Sequence, residues 1–132
     1  MRAFFIFNNL RVDKFRLEDT PFPGFELLSW EDHTRTFGTL WDMGADAGFT
    51  TIGRSFVSGQ LWIAHDLNQI AELEYFLGVK SGLTEPCAVK VHVNNPDVCE
   101  EVNAIAYRLK KIDKTYNIVS DGYWSIKRTT FR

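Results

Sequence analysis

Apolar and polar residues alternate in short segments along much of this chain, which is the pattern of half-buried strands. The clearest case is Val89, Val91 and Val93, which alternate with Lys90 and His92. This alternation predicts a strand with one face on the core and the other in solvent. Comparable segments, rich in aromatic and β-branched residues, extend the prediction to five strands, at 3–7, 36–41, 56–64, 87–93 and 103–109.

The pattern also predicts one helix. Apolar residues recur at helical spacing between residues 67 and 77. Asp66 precedes them and can cap the first turn, and Gly78 follows them and can end the helix. A brief helical turn is predicted at 98–102. Because strands and helices do not alternate regularly, the sequence predicts one α+β domain over residues 1–132 rather than a doubly wound sheet.

Composition supports a single folded domain. The chain has 132 residues, of which 45% are hydrophobic and 24% charged, and its 11 Phe, 4 Trp and 4 Tyr supply ample apolar area. The formal net charge is -2, so no overall basic field favours nucleic acid or an anionic membrane as a partner. No apolar run approaches the ~20 residues of a membrane span and no signal-peptide pattern is present, so we expect a cytoplasmic location.

The residues give little support for metal, cofactor or common hydrolase chemistry. His33, His65 and His92 are scattered without the spacing of metal ligands, and Cys87 and Cys99 lie twelve residues apart without a CxxC pair. The sequence contains none of the phosphate-binding, dinucleotide-binding, zinc-protease or nucleophile-elbow motifs. We therefore predict that the protein uses no metal and no cofactor.

An ordered set of short segments covers most of the chain: FIFNNL at 5–10, LWDMG at 40–44, VSGQLW at 57–62, LEYFLG at 73–78, VKV at 89–91, AIAY at 104–107 and SDGYW at 120–124. In this order the segments resemble the motifs of the gamma-glutamyl cyclotransferase-like superfamily, which includes gamma-glutamylamine cyclotransferases and avirulence-induced plant proteins. The resemblance implies a small mixed β-barrel with a few helices outside it. It also implies a pocket at one mouth of the barrel.

In enzymes of that family, the loop after the first strand binds the glutamyl substrate through backbone N–H groups. The Glu of an LDxxEG motif is the general acid/base, because the substrate's α-amine attacks its own γ-carbonyl and a proton must pass to the leaving amine. In this sequence Leu77 occupies the position of that Glu. In the first loop, Asn8 replaces a Gly, Asn9 replaces a small hydroxyl residue, and Phe7 replaces a Tyr.

These departures favour a pseudoenzyme, a cyclotransferase-like protein that has lost the reaction and binds a small polar or anionic metabolite or a nucleotide. Asn can still adopt the left-handed conformation and offers amide donors and acceptors, so a polar site could persist in the altered loop. The resemblance implies that the ligand-binding residues are Phe7, Asn8, Asn9, Leu10, Gly44, Leu77, Tyr107 and Trp124.

Two alternatives stay open from the sequence. In the first, the protein is an active gamma-glutamyl cyclotransferase that releases 5-oxoproline, with Glu74 as a substitute base three residues before Leu77 on a similar helical face. In the second, it is a protein-interaction module whose exposed aromatic residues contact a macromolecular partner. The aromatic residues considered for that role are Trp30, Trp41 and Trp62.

Overall fold

The computed structural model describes residues 2–7, 25–29, 33–44, 47–94 and 99–123. In these ranges eight strands and one helix follow one another along the chain. Their bounds are Arg2–Ile6 (β1), Phe25–Ser29 (β2), Thr34–Asp42 (β3), Ala47–Ser58 (β4), Gln60–Ala64 (β5), Asn68–Phe76 (α1), Thr84–Asn94 (β6), Cys99–Leu109 (β7) and Asn117–Ile118 (β8).

The strands form one mixed sheet in the order β2-β5-β1-β7-β6-β3-β4, with β8 paired to β3. β1 is parallel to β7 and antiparallel to β5 on its other side. The long β6–β7 pair is antiparallel and runs from Thr84↔Leu109 to Asn94↔Cys99. The mixed sheet and its helix confirm the predicted α+β class.

The sheet curls, but within the described ranges it does not close into the predicted barrel. Its outer strands, β2 and β4, share no ladder there. The chain instead passes directly from β4 to β5 through Gly59, whose N–H donates to the Thr34 carbonyl at 3.2 Å. This crossing connects β4 to β5, but closure into a barrel would need a ladder of paired residues between the outer strands. The resemblance also implied a few outer helices, whereas the described residues form one, because the chain turns straight from α1 into β6.

Two apolar cores lie on the two faces of the curled sheet. Phe4 and Phe5 are adjacent in β1 and are both fully buried, so they project into different cores. Phe5 packs in the inner core and Phe4 in the outer core, between the sheet and α1. The inner core also contains Phe7, Leu40, Ala47, Phe49, Val57, Leu61, Val91, Val93, Ala104, Ala106 and Val119. The outer core also contains Ile6, Trp62, Ala64, Leu73, Leu77 and Tyr107.

The strands predicted at 3–7, 36–41, 87–93 and 103–109 are confirmed as β1, β3, β6 and β7. The segment predicted at 56–64 is instead the end of β4 and all of β5, divided at Gly59. A Cβ on Gly59 would lie 2.6 Å from the Phe5 ring and 2.8 Å from the Ile6 carbonyl oxygen, so the crossing requires glycine. The helical turn predicted at 98–102 is wrong for residues 99–102, which belong to β7.

Most of β4 and all of β2 were missed. The ladder between β3 and β4 moves from Gly38↔Ser55 to Thr39↔Thr50, so residues 51–54 bulge out of it. These residues are all exposed, and Thr51, Gly53 and Arg54 among them interrupt the apolar pattern from which strands are predicted.

Helix α1 ends in a Schellman motif. Gly78 has φ +87, its N–H donates to the Tyr75 carbonyl at 3.2 Å, and the Val79 N–H donates to the Glu74 carbonyl at 2.9 Å. At the other end, the Asp66 Oδ1 accepts a bond from the Asn68 N–H at 2.9 Å. The predicted end at Gly78 is therefore confirmed, and the glycine turn fixes the direction in which the chain leaves the helix. At the start, the N-cap position is occupied by Leu67, whose side chain makes no capping bond, and Asp66 lies one residue earlier.

We expect Gly78→Ala to lower the free energy of unfolding by roughly 2 kcal/mol, because alanine is strained at this φ and its Cβ would lie 3.0 Å from the Leu83 Cβ. Gly82→Ala is the matched control, since Gly82 has φ +84 and nothing within 4 Å of the added Cβ. Urea unfolding of the two variants measures the difference. Equal losses would show that the contact with Leu83 contributes nothing.

Candidate functional site

A narrow pocket lies where the end of β1, the end of α1 and the end of β7 meet. Its interior has a volume of about 20 Å³, within about 370 Å³ of empty space that includes the open mouth. The interior alone is room for about one water molecule. The residues that line the pocket are Phe5, Ile6, Phe7, Met43, Ala47, Gly48, Leu77, Leu83, Thr84, Tyr107 and Leu109.

Two of the lining residues, Phe7 and Leu77, are closely packed. Phe7 follows β1 and is 8% exposed, and its ring centroid lies 5.5 Å from that of Phe49. Leu77 is the last residue before the glycine turn, and it is also 8% exposed. Its N–H donates to the Leu73 carbonyl at 2.9 Å, and its own carbonyl accepts a bond from the Thr84 hydroxyl at 2.9 Å. The backbone of Leu77 is therefore held by hydrogen bonds at both its N–H and its carbonyl.

Tyr107 connects the pocket to helix α1. Its ring lies parallel to that of Phe4, with 6.4 Å between centroids, and its hydroxyl donates to Glu74 Oε2 at 3.1 Å. Burial raises the pKa of Tyr107 far above its ordinary value, and the Glu74 carboxylate adds to this, while Arg2 opposes it. Tyr107 is consequently a neutral hydrogen-bond donor at any physiological pH.

The structure brings three of the predicted ligand-binding residues into the pocket lining: Phe7, Leu77 and Tyr107. Gly44 is placed differently. Its N–H donates to Asp42 Oδ1 at 2.8 Å, and its neighbour Met43 lines the pocket instead. Glu74 reaches the pocket only through its bond to Tyr107. The remaining predicted residues lie outside the described ranges: Asn8, Asn9, Leu10 and Trp124.

Sequence reasoning missed other lining residues, notably Met43, Leu83 and Leu109. Met43 lies beside the predicted Gly44, and Leu83 lies in the loop after α1, so nearness to the motifs was an available signal. No signal in the sequence pointed to Leu109, because its place in the lining depends on the register between β6 and β7.

The aromatic residues considered for a protein interface are placed differently from one another. Trp62 is 7% exposed and its Nε1 donates to Gln60 Oε1 at 3.0 Å, so it belongs to the outer core and cannot be an exposed contact. Trp41 is half-buried, and its Nε1 donates to the Thr50 hydroxyl at 3.0 Å. Trp30 lies outside the described ranges.

Among the residues that the structure describes, no three His, Cys, Asp or Glu side chains are grouped so that they could hold a metal ion. Cys87 and Cys99 are free thiols. In the same ranges, none of the helical structure combines the length and the apolar character that crossing a membrane would require.

Comparison with known proteins gives matches in structure. No protein-family model and no curated protein sequence matches the chain. YkqA from Bacillus subtilis is similar with a TM-score of 0.66 and 18% identity, over 93% of this chain and 39% of that one. YtfP from Escherichia coli is similar with a TM-score of 0.60 and 16% identity, over 96% of this chain and 98% of that one.

A third similar structure is a gamma-glutamyl cyclotransferase, with a TM-score of 0.58 and 17% identity, over 89% of this chain and 69% of that one. The chain spans only about two fifths of the length of YkqA. At these identities the similarity is one of fold. The gamma-glutamyl cyclotransferase-like fold, predicted from the ordered segments, is confirmed.

The Tyr107–Glu74 bond leads to a prediction about alkaline pH. The folded-state pKa of Tyr107 is raised, so its contribution to stability is complete below the ordinary tyrosine pKa of about 10 and is lost as the pH rises above it. Urea unfolding between pH 7 and pH 11 should therefore show a steeper alkaline decline for the wild type than for Tyr107→Phe.

Tyr75→Phe is the matched control, because Tyr75 is 74% exposed. This variant should keep the wild-type decline. At pH 7, Tyr107→Phe should unfold about 1 kcal/mol more easily, the net contribution of one hydrogen bond. Parallel pH profiles for the wild type and Tyr107→Phe would contradict the role assigned to the bond.

Proposed function

We propose that this protein is a non-catalytic binding protein on the gamma-glutamyl cyclotransferase-like fold, with its ligand site at the pocket lined by Phe7, Leu77 and Tyr107. One observation carries the proposal. At the position where the resemblance implies the general acid/base, the chain has Leu77, and its side chain lies buried in the pocket wall.

The chemistry of the family reaction explains why this residue matters. When the α-amine of a gamma-glutamyl compound attacks its γ-carbonyl, a base must take the amine proton and an acid must return one to the leaving amine. The isobutyl group of Leu77 can do neither. Its apolar neighbours Phe5, Phe7 and Leu109 line the same pocket and cannot exchange a proton either.

The ligand we propose is small and has a polar or anionic part. The sequence that follows Phe7 begins with Asn8 and Asn9, whose amides each offer donors and an acceptor. Such groups suit a carboxylate, a phosphate or a nucleotide. The described part of the pocket supports a site of this kind by its position, directly beside the end of β1.

One observation favours an active enzyme as the second candidate. Glu74 is a carboxylate within 3.1 Å of the hydroxyl of Tyr107, a residue that lines the pocket. As a base, Glu74 would have to give up this bond and turn toward the substrate. Tyr107 itself is no substitute base, since burial and the Glu74 charge raise its pKa and keep it protonated.

Release of 5-oxoproline from a panel of gamma-glutamyl amino acids and amines separates the two candidates. We expect the wild type and Glu74→Gln to release no more than the buffer does, with a similar cyclotransferase as positive control. If wild-type release fell by about 100-fold or more in Glu74→Gln, Glu74 would be the base, because general acid/base catalysis contributes roughly 10²–10⁴. Any wild-type release at an enzymatic rate would contradict the proposal.

Binding is tested separately, by mass spectrometry of small molecules that denaturation releases from the purified protein. A bound molecule should be enriched from the wild type relative to Leu77→Asn, which puts an amide into the pocket wall. Leu67→Asn is the matched control, because Leu67 is 64% exposed and away from the pocket. Equal yields from all three proteins would contradict a ligand site at Leu77.

A further inference from the structure

The described lining of the pocket contains no charged side chain. Among these residues, only Thr84 and Tyr107 carry polar side-chain atoms, and both hydroxyls donate elsewhere, to the Leu77 carbonyl and to Glu74. Within this described lining, a zwitterionic amino-acid group would lose its water without meeting a side chain of opposite charge. The free-energy cost of desolvating the charged group is large, whereas the burial of an apolar group is favourable.

The inner end of the pocket is closed by tightly packed apolar groups. A Cβ on Gly48 would overlap the Leu109 side chain and lie 2.8 Å from the Met43 sulfur, so these two side chains sit directly over the glycine. Phe5 is fully buried on the same wall. A ligand group that reaches this end contacts aliphatic carbon, aromatic ring and thioether sulfur.

The volume of the interior limits what can enter. About 20 Å³ accommodates a single methyl group at a chain end and excludes a ring. The wider space lies toward the mouth. The ligand must therefore be thin where it is buried and broader where it is exposed.

The described part of the rim includes an exposed apolar residue, Leu83. Leu83 lines the pocket, yet 40% of its surface is exposed. Its backbone N–H donates to the Gly78 carbonyl at 2.9 Å, which anchors this residue beside the glycine turn after α1. The apolar surface thus continues from the interior to the mouth.

We infer that the pocket binds the short unbranched alkyl or thioether end of an amphiphilic ligand, with the polar part of the ligand at the mouth. This inference rests on the proposed function, because it names the ligand class of the same pocket. It distinguishes the buried part of the ligand from the charged head group of an amino acid.

The probes for a test are ethanol, 1-butanol and 1-hexanol, with L-glutamine as the zwitterionic comparator. Carbon-13 methyl NMR follows Met43, Leu77, Leu83 and Leu109, which line the pocket. We expect saturable shifts of these methyls with the alcohols and none with L-glutamine. The dissociation constant should fall about threefold to fourfold per added methylene until the interior is full, and change less from 1-butanol to 1-hexanol.

Three variants test whether the alcohols bind in the pocket. Leu77→Asn should weaken alcohol binding at least tenfold, and Leu83→Asn, at a partly exposed rim position that tolerates a polar residue, should weaken it about threefold to tenfold. Leu67→Asn, at a 64% exposed position, should leave it unchanged. Shifts that do not saturate, that appear equally at exposed Ile52, or that L-glutamine produces in the pocket methyls would overturn the inference.

The outcomes for the two proposals are distinguishable. Release of 5-oxoproline would overturn the proposed function whatever the alcohols do. No release, together with a polar molecule recovered by mass spectrometry and no alcohol binding at the pocket methyls, would overturn the ligand class and leave a non-catalytic binding protein.

Discussion

Phe4 and Phe5 are neighbours in β1, and the complete burial of both is the constraint on which the rest of the structure depends. Consecutive residues of a strand face opposite sides of the sheet, so each side of β1 needs its own apolar layer. The curled strands supply the layer around Phe5, and helix α1 with β2 and β5 supplies the layer around Phe4. Each buried phenylalanine contributes about 1.5–3 kcal/mol, so neither layer can be removed without a large loss of stability.

This arrangement also determines where the pocket lies. Helix α1 is attached to the outer layer through Leu73, and its glycine turn leaves Leu77 at the end of β1, opposite Phe7. Tyr107 stacks on Phe4 in the same outer layer and holds Glu74 by its hydroxyl. The pocket wall thus joins outer-core side chains, Ile6, Leu77 and Tyr107, to inner-core side chains, Phe5, Phe7 and Ala47. A leucine fits this apolar junction, at the place where the resemblance implies a carboxylate.

The sequence predicted those features whose signals are local. Alternation at residues 89–93 predicted β6, and Asp66 and Gly78 predicted where α1 begins and ends. The bulge at 51–54, the crossing at Gly59 and the open sheet depend on contacts between distant segments, and no local pattern carries them. At the site, the ordered motifs led to Phe7, Leu77 and Tyr107, whereas the bond from Tyr107 to Glu74 spans 33 residues and was visible only in three dimensions.

The pairing of β1 has a consequence for how the protein forms during synthesis. In the described structure β1 pairs with β5 and β7, and β7 ends at Leu109. A growing chain therefore carries β1 without its first partner until residues 60–64 have left the ribosome, and without its second partner until β7 has followed. Closing such long loops is slow, and exposed apolar strands associate readily in the meantime. β1 is thus synthesised before both of its partners and completes its pairing only after β7.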